Sequence, residues 1–261
     1  MALNVVVCVK QIPDPADPGA LDADYTLKRD VKLILDESDS YGVEMALQLV
    51  DTAGGGEVTL VSMAPNGEVS GLRTALAMGA ANGVLVSDDA LAGSGARETA
   101  KTLAAAIGKA GDYDLVISGV EYSDGYTGVV PQMLAAQLGH PMVSFAKSVE
   151  VADGKVKVSR QTETGSQDVE ASTPCVVSVT AGVVEPRYPS FKGIMAAKSK
   201  PVETLALGDL GIDAGSVGWS GAGQEITAVE DAPARQAGEI VEDDGEGFQK
   251  IVAKLEELKV I

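Results

Sequence analysis

The chain has 261 residues, with 38 acidic residues against 20 basic ones, a formal net charge of −18, two cysteines and one histidine. This length suits one large α/β domain, or a domain with an appendage, and the negative charge argues against nucleic acid as a partner. Two cysteines exclude a disulfide scaffold and a four-thiolate zinc site, and one histidine excludes a histidine-based metal cluster and argues against a Ser-His-Asp triad.

The start of the sequence does not have the pattern of a targeting signal. The first residues, MALNVVVCVK, contain no basic region followed by a long apolar run. No apolar run along the sequence reaches the roughly 18 residues that a membrane span needs. We therefore expect a cytoplasmic protein that does not insert into membranes, in which Cys8 and Cys175 stay reduced.

Strands and helices are predicted to alternate along the first half of the chain. Continuous β-branched runs are typical of strands buried on both faces of a parallel sheet. Segments with helical periodicity lie between them, and Gly79, Gly108 and Gly139 follow three of these segments, where helices often end. The predicted strands are Asn4–Val9, Val58–Ser62, Gly83–Val86, Asp114–Ser118 and Met142–Ser144, and the predicted helices are Ser40–Val50, Glu68–Ala77, Arg97–Ile107 and Thr127–Leu138. This alternation predicts an α/β fold with a Rossmann-like, doubly wound, mostly parallel sheet.

From Ser148 onward the pattern changes to short strands joined by tight turns. Asp153-Gly154 and Thr164-Gly165 separate the predicted strands, and Asp-Gly between two strands is a hairpin signal. Cys175–Val179 is again a continuous apolar run. We therefore predict an antiparallel addition, after which the chain returns to the parallel sheet. The strands of this addition are Ser148–Val151, Lys155–Gln161 and Gln167–Ala171.

The segment Pro186–Pro201 is basic in an acidic chain. It has four basic residues and no acid, and its three prolines favour an extended loop. One interpretation is a surface loop whose lysines contribute solubility. The other, which we favour, is a docking loop in which Phe191 and Met195 are apolar anchors and the cations steer an acidic partner.

The C-terminal part is predicted to be an arm that begins after residue 210. Gly211–Gly223 has the composition of a linker, and its single Trp219 either anchors a partner or folds back onto the body. Gln224–Gln249 has eight acids against one Arg235, and Phe248–Leu258 has the apolar face of an amphipathic helix. We thus expect a domain over residues 1–210 and an arm over residues 211–261.

The segment Gly119–Val130 is a candidate phosphate-binding loop. It is rich in glycine and joins a predicted strand to a predicted helix, a place where backbone N–H groups converge on anions. It lacks the G-x-x-x-x-G-K-S/T and G-x-G-x-x-G patterns. The alternative is an ordinary turn in which Asp124 or Thr127 caps the helix.

The acidic run Asp36–Asp39 lies directly before the predicted helix Ser40–Val50 and has two interpretations. Its residues are suited to the N-cap and first turn of a helix, and a carboxylate there could equally hold a ribose hydroxyl. Cys8, inside the first strand, is interpreted as a small buried apolar residue.

Four segments together resemble the β subunits of electron transfer flavoproteins. The most specific is VEPRYPSFKGIMAAKSK at residues 184–200. Supporting matches are VCVKQIPD at residues 7–14, RTALAMGA at 73–80 and LALGDLGI at 205–212. The resemblance covers essentially the whole chain and implies an adenine-nucleotide α-hydrolase-like version of the Rossmann-like fold.

The resemblance implies a heterodimer that carries electrons. A larger α subunit would hold most of the redox FAD at the interface, and the C-terminal arm of this chain would pack on α. The β subunit would bind a second, structural nucleotide, AMP, or another FAD in electron-bifurcating relatives. Electrons would come from flavoprotein dehydrogenases and pass to a membrane-linked quinone oxidoreductase. No catalytic side chain and no metal site is predicted, because the cofactor supplies the redox chemistry.

The resemblance also places the nucleotide-binding residues. Where many relatives have an Asn/Ala-Gln pair, this chain has Gly128-Val129, and the loss of the glutamine favours AMP over a second FAD. The predicted nucleotide residues are Cys8, Asp36, Glu37, Ser38, Asp39, Met63, Gly119, Val120, Glu121, Tyr122, Ser123, Asp124, Gly125, Tyr126, Thr127, Gly128, Val129 and Val130.

A partner-recognition loop is implied at about residues 180–200. Phe191 falls on its apolar anchor, where the family often has leucine. The predicted docking residues are Glu185, Pro186, Arg187, Tyr188, Phe191, Lys192, Ile194 and Met195. Two alternatives remain open: a bifurcating flavoprotein subunit that oxidises NADH, and a nucleotide-binding stress or regulatory protein of similar fold.

Overall fold

The structure is a computed structural model that describes residues 2–16, 19–64, 66–234, 238–243 and 245–261. The chain divides into two compact units, Met1–Glu225 and Ile226–Ile261. None of the helices in the described ranges is long and apolar enough to cross a membrane.

The first unit is built on a nine-stranded sheet in the order β11-β5-β4-β1-β6-β10-β7-β8-β9. All neighbours from β11 to β7 are parallel, and β8 and β9 extend the sheet with antiparallel pairs. This confirms the predicted mostly parallel sheet with an antiparallel addition. Two further short strands, β2 and β3, pair with each other antiparallel in a separate two-stranded sheet. The strands are β1 Leu3–Cys8, β2 Gln11–Pro13, β3 Leu33–Leu35, β4 Gly56–Met63, β5 Asn82–Val86, β6 Leu115–Gly119, β7 Met142–Ala152, β8 Lys155–Thr162, β9 Gly165–Ser172, β10 Cys175–Val179 and β11 Val202–Leu205.

Helices cover both faces of this sheet, and each face has its own apolar core. In β1, Val5 and Val7 belong to one core while Val6 belongs to the other, as expected of a strand buried on both faces. These three side chains are at most 2% exposed, and burial of each contributes roughly 1.5–3 kcal/mol. The helices are α1 Glu37–Ala53, α2 Ser70–Met78, α3 Ala96–Ile107, α4 Val130–Leu138, α5 Phe191–Ala197, α6 Gly218–Gly221 and, in the second unit, α7 Gly247–Glu257.

Two local predictions were wrong. The helix predicted from Thr127 begins only at Val130, because Tyr126 and Gly128 have φ values of 47° and 62°, which no right-handed helix accommodates. The segment Pro186–Pro201 is not extended throughout, since α5 forms within it and Ser190 caps that helix by accepting the Gly193 N–H at 3.0 Å.

Trp219 folds back onto the body of the first unit, which was one of the two positions predicted for it. Its ring lies so close to Gly93 that a Cβ there would be 2.4 Å from the ring. Its indole N–H donates to Asp24 at 3.1 Å. Residues 211–225 thus belong to the compact first unit, which ends after Glu225 rather than after residue 210.

Candidate functional site

A pocket of about 1020 Å³ opens at the carboxyl ends of β6 and β10, beside the N-terminus of α1. Ligands of open, parallel α/β sheets bind at this end of the strands. Several predicted nucleotide residues line it: Asp36, Glu37, Ser38, Val120, Glu121, Ser123 and Tyr126. The fold therefore brings the acidic run and the candidate phosphate loop, which are distant in sequence, to one opening.

Asp36 joins these two segments. It is buried and caps α1, accepting the Ser38 N–H on Oδ1 at 2.9 Å. Its Oδ2 accepts a hydrogen bond from the Ser123 hydroxyl at 3.2 Å. The capping interpretation of this residue is confirmed, and the same carboxylate fixes the loop against the start of the helix.

A buried polar group lies behind the pocket rather than in its lining. Asp39 is fully buried, and its Oδ2 accepts the Lys10 backbone N–H. Burial, reinforced by the Asp36 charge, raises the pKa of Asp39 well above its usual range. Burial and the Asp39 charge likewise raise the pKa of the Cys8 thiol to about 12, so Cys8 is a neutral, buried small residue, as interpreted from the sequence.

Tyr122 lies over this buried group. Its hydroxyl oxygen accepts the Gly119 N–H at 3.2 Å, which closes the start of the loop against the end of β6. Burial, with the charge of Asp39, raises the pKa of Tyr122 well above its usual range. The uncharged phenol therefore supports the start of the loop through its hydrogen bond to Gly119.

Asp124 holds the loop through two cations that the sequence did not identify. Its Oδ1 lies 2.7 Å from Lys10 Nζ and its Oδ2 lies 3.0 Å from Arg29 Nη2, and its side chain is 7% exposed. Arg29 also donates to the Gln11 carbonyl at 2.8 Å. Both oxygens of Asp124 are thus engaged within the chain, so this residue positions the loop. We call this group the Asp124 clamp.

The end of the loop leads directly into α4. Neither Asp124 nor Thr127 caps that helix, contrary to the alternative interpretation of the loop. The N-cap position is held by Val129, which makes no side-chain hydrogen bond to the first turn. Tyr126 and Gly128 have left-handed backbones before it, and no side chain caps the first turn of the helix. The remaining predicted residues in this region, Gly125, Thr127, Gly128 and Val130, lie outside the pocket lining, as does Met63 at the end of β4.

The pocket has a second side that sequence reasoning missed. It is formed by the end of β8, the end of β10 and one residue of β7. No motif marks these positions, since they come together only through the antiparallel extension of the sheet. They are Phe145, Arg160, Gln161, Thr162, Glu163, Val179, Thr180 and Ala181.

The predicted docking residues form a separate surface. Arg187 does not face outward as a free cation, because its guanidinium pairs with the buried Glu44 through Nε at 2.7 Å and Nη2 at 3.1 Å. Burial opposes ionisation of Glu44, but hydrogen bonds from Arg187 and Gln48 outweigh it and lower the pKa of that carboxyl. Arg187 therefore anchors the segment to α1.

The helix that follows is also held firmly. Gly193 approaches α2 so closely that a Cβ would lie 2.4 Å from the Ala77 carbonyl oxygen. Lys200 Nζ donates to the carbonyls of Leu76 and Ala80, at the end of α2, at 2.9 and 2.6 Å. These contacts present an exposed set of side chains that we call the apolar platform: Tyr188, Phe191, Ile194 and Met195.

Comparison with known proteins gives one consistent result. The model of the electron transfer flavoprotein domain matches residues 25–210. The chain is 40% identical to an electron transfer flavoprotein subunit beta of Mycobacterium bovis, covering 99% of both chains, and 35% identical to one of Thermoanaerobacterium thermosaccharolyticum, covering 99% and 100%. It is also 32% identical to the caffeyl-CoA reductase-Etf complex subunit CarD of Acetobacterium woodii, covering 99% and 100%.

Proposed function

The chain belongs to the electron transfer flavoprotein family, as a relative of its β subunits, and we propose that it works as the β subunit of a heterodimeric electron carrier in the cytoplasm. In this proposal it accepts electrons from flavoprotein dehydrogenases, and they leave to a membrane-linked quinone oxidoreductase. An α subunit holds most of the redox FAD, and this chain helps to enclose it. The full-length match favours this function over a stress or regulatory protein.

The observation that carries the nucleotide part of the proposal is the assembly of two distant segments around one pocket. Asp36 ties the start of α1 to the loop, and the Asp124 clamp fixes that loop from the other side. The left-handed loop and the uncapped start of α4 fit a phosphate group. We propose that Gly119–Val130 holds the phosphate of AMP through backbone N–H groups, and that Asp36–Asp39 faces its ribose.

In this assignment the chain's own residues bind and orient, and the redox step is left to the FAD. When bound, FAD supplies the ring that accepts and releases electrons, whereas AMP supplies no redox chemistry. Behind the pocket, burial raises the pKa values of Asp39, Tyr122 and Cys8 and so disfavours their charged forms.

The apolar platform is the proposed docking site for dehydrogenases. Tyr188 is 92% exposed and Phe191 is 81% exposed, yet the backbone beneath them is fixed by Arg187, Gly193 and Lys200. Rigid, exposed aromatic side chains lose little entropy on binding and are frequent anchors of interfaces. We also propose that the arm, predicted from sequence over residues 211–261, packs on the α subunit through its part beyond Glu225, which forms the second compact unit.

The similarity to CarD supports a second candidate, a bifurcating subunit with a second FAD and NADH oxidation. Co-expression with the α subunit, purification and identification of the nucleotides released on denaturation decide between the two. One FAD and one AMP per heterodimer supports the simple carrier. Two FADs, with flavin reduction by NADH, identifies the bifurcating enzyme. A heterodimer without flavin would refute both.

A further inference from the structure

Two cations join α2 to α5, the short helix that carries most of the apolar platform. One is Arg73, in the segment RTALAMGA at residues 73–80, which has no part in the proposed nucleotide site. The other is Lys200, which follows the end of α5. Each cation donates to carbonyl groups at the C-terminal end of the helix to which it does not belong.

Arg73 supplies the end of α5 with hydrogen bonds that this helix cannot make internally. Its Nη1 donates to the carbonyl of Ala197 at 2.8 Å and to the carbonyl of Lys200 at 2.6 Å. The carbonyls of a helix's last turn have no partner within the helix, and Ala197 is the last residue of α5. The guanidinium therefore caps α5 from a position 124 residues earlier in the chain.

Lys200 makes the reciprocal contact with the end of α2. Its Nζ donates to the carbonyls of Leu76 and Ala80, where the helix dipole favours a cation. Between the two sets of bonds, Gly193 lies against the Ala77 carbonyl, and a Cβ there would be 2.4 Å from the carbonyl oxygen. The two helices are thus fixed to each other at both cations and at one close backbone contact.

Polar contacts of this kind decide the position of α5, because the helix has almost no buried apolar face. It has seven residues, of which Ala197 is the one that is buried. A helix of this length is not stable by itself. Although the chain has a net charge of −18, neither Arg73 nor Lys200 takes part in an ion pair in the described part of the chain. Both cations are instead committed to carbonyl groups between the two helices.

We propose that Arg73 and Lys200 are positioning residues for dehydrogenase docking, and that they hold α5 in the orientation that presents the apolar platform. This inference rests on the proposed function, in which the platform receives the dehydrogenase. Without these contacts α5 is free to leave that orientation, and the apparent affinity falls by the fraction of time for which it is absent. If the docking orientation is kept about a tenth of the time, the apparent KM rises about tenfold, and kcat is retained once the complex has formed.

The test uses the co-expressed heterodimer with Arg73→Met and, independently, Gly193→Ala. Arg73→Met removes both hydrogen bonds to the end of α5. Gly193→Ala leaves both cations in place and raises the helix propensity of α5, so a loss of docking there comes from the lost fit against α2. The matched controls are Lys109→Met, an exposed cation after the end of α3, and Gly208→Ala, where no atom lies within 4 Å of the added Cβ.

The electron acceptor in the assay is the heterodimer, and the donor is a flavoprotein dehydrogenase that reduces the unmodified heterodimer. We expect the KM for the heterodimer to rise about tenfold in both test variants, with kcat, FAD content and AMP content unchanged. The rise should persist at high ionic strength, because salt screens steering by charge but not the orientation of a helix. Amide hydrogen exchange within α5 should become faster in the test variants and stay unchanged in the controls.

Combination with Phe191→Ala tests whether Arg73 acts through the platform. If it does, Arg73→Met adds about threefold or less to the KM of the Phe191→Ala heterodimer, since the anchor that it positions is already missing. A rise of the full size in that background would overturn the inference, because it would show an action elsewhere. A normal KM in both test variants, or unchanged hydrogen exchange in α5, would also overturn it.

Failure of the inference and failure of the proposed docking site give different results. Slow transfer in Phe191→Ala beside a normal KM in Arg73→Met and Gly193→Ala overturns the inference alone. A normal KM in Phe191→Ala removes the platform as the docking site, and the inference falls with it. If Arg73→Met does not assemble with the α subunit, Gly193→Ala decides by the same KM and hydrogen-exchange measurements.

Discussion

Replacing Asp124 by asparagine removes the charge that holds the phosphate loop while keeping the shape of the side chain. Two charge-assisted hydrogen bonds, to Lys10 at 2.7 Å and to Arg29 at 3.0 Å, converge on this carboxylate. Bonds of this type contribute about 1.5–3 kcal/mol each where they are shielded from water. Here Lys10 and Arg29 are 37% and 24% exposed and can turn to solvent, and the amide can still accept one bond. We therefore expect a net loss of about 2 kcal/mol.

For a chain of this size, that loss corresponds to a fall in Tm of roughly 4–8 °C. Because the clamp fixes the loop that presents backbone N–H groups, we also expect AMP affinity to fall by about tenfold or more. Thermal unfolding and nucleotide content of the heterodimer measure both effects. Asp168→Asn, at an exposed position on β9, is the control that removes one charge without breaking a clamp.

A double-mutant cycle with Arg29→Met tests the cause. If the Asp124 effect comes through Arg29 and Lys10, the double variant is less destabilised than the sum of the two single variants. Strict additivity, or an Asp124→Asn protein with unchanged Tm and AMP content, would show that the clamp does not hold the loop.

Three further predictions follow from the fold. Glu44→Gln should lower the free energy of unfolding by about 1–3 kcal/mol at neutral pH. Because the pKa of Glu44 in the folded protein lies below its ordinary value of 4.5, the ion pair contributes fully above pH 4.5, and its contribution is lost as the pH falls through the folded-state pKa. The unfolding curves of the variant and the unmodified protein should therefore converge in acid. Gly93→Ala places a Cβ 2.4 Å from the Trp219 ring at a φ of 78°, and should cost roughly 2–3 kcal/mol and shift the fluorescence of the single tryptophan. Gly208→Ala, with no atom within 4 Å of the added Cβ, should do neither. Deletion of residues 226–261 should weaken α–β association without lowering the Tm of the remaining unit. An unchanged Kd between the subunits would contradict the proposal that this segment packs on α.

The sheet could be predicted from sequence because its central strands are buried on both faces and so appear as continuous apolar runs. The short elements could not. α5 has seven residues and β11 has four, too few for a periodic pattern to emerge. The strand predicted from Met142 and the one predicted from Ser148 are one strand, β7, which the bulge at Phe145 interrupts.

The candidate site likewise has a part that the sequence predicts and a part that it does not. Loop residues adjacent to strand ends follow from general rules of α/β folds, and Asp36–Asp39 and Gly119–Val130 do come together. The partners of Asp124 do not follow, because Lys10 is 114 positions away and Arg29 is 95 positions away. An acid in a sequence motif could not be assigned to ligand binding or to loop positioning until those cations were located.

The charges of the basic segment lead to a last prediction about how a dehydrogenase is recognised. The sequence suggested that four cations steer the partner. Arg187 is instead paired with Glu44 and Asp51, and Lys200 donates to two carbonyls at the end of α2. Lys192 and Lys198 are exposed beside a platform that is mainly apolar, whereas Arg187, although also exposed, is held by its two carboxylate partners.

Docking should therefore depend more on Phe191 than on charge. Phe191→Ala should slow electron transfer from the dehydrogenase by tenfold or more at limiting concentration, the effect of losing an interface anchor, with FAD content and Tm unchanged because the side chain is 81% exposed. Changing both Lys192 and Lys198 to alanine should mainly reduce the salt dependence of the rate, since exposed charges act on encounter and are screened. Rates measured from low to high ionic strength compare the two variants. A Phe191→Ala protein with a normal rate, beside a lysine variant that is slow at every salt concentration, would show that charge, not the apolar platform, carries the recognition.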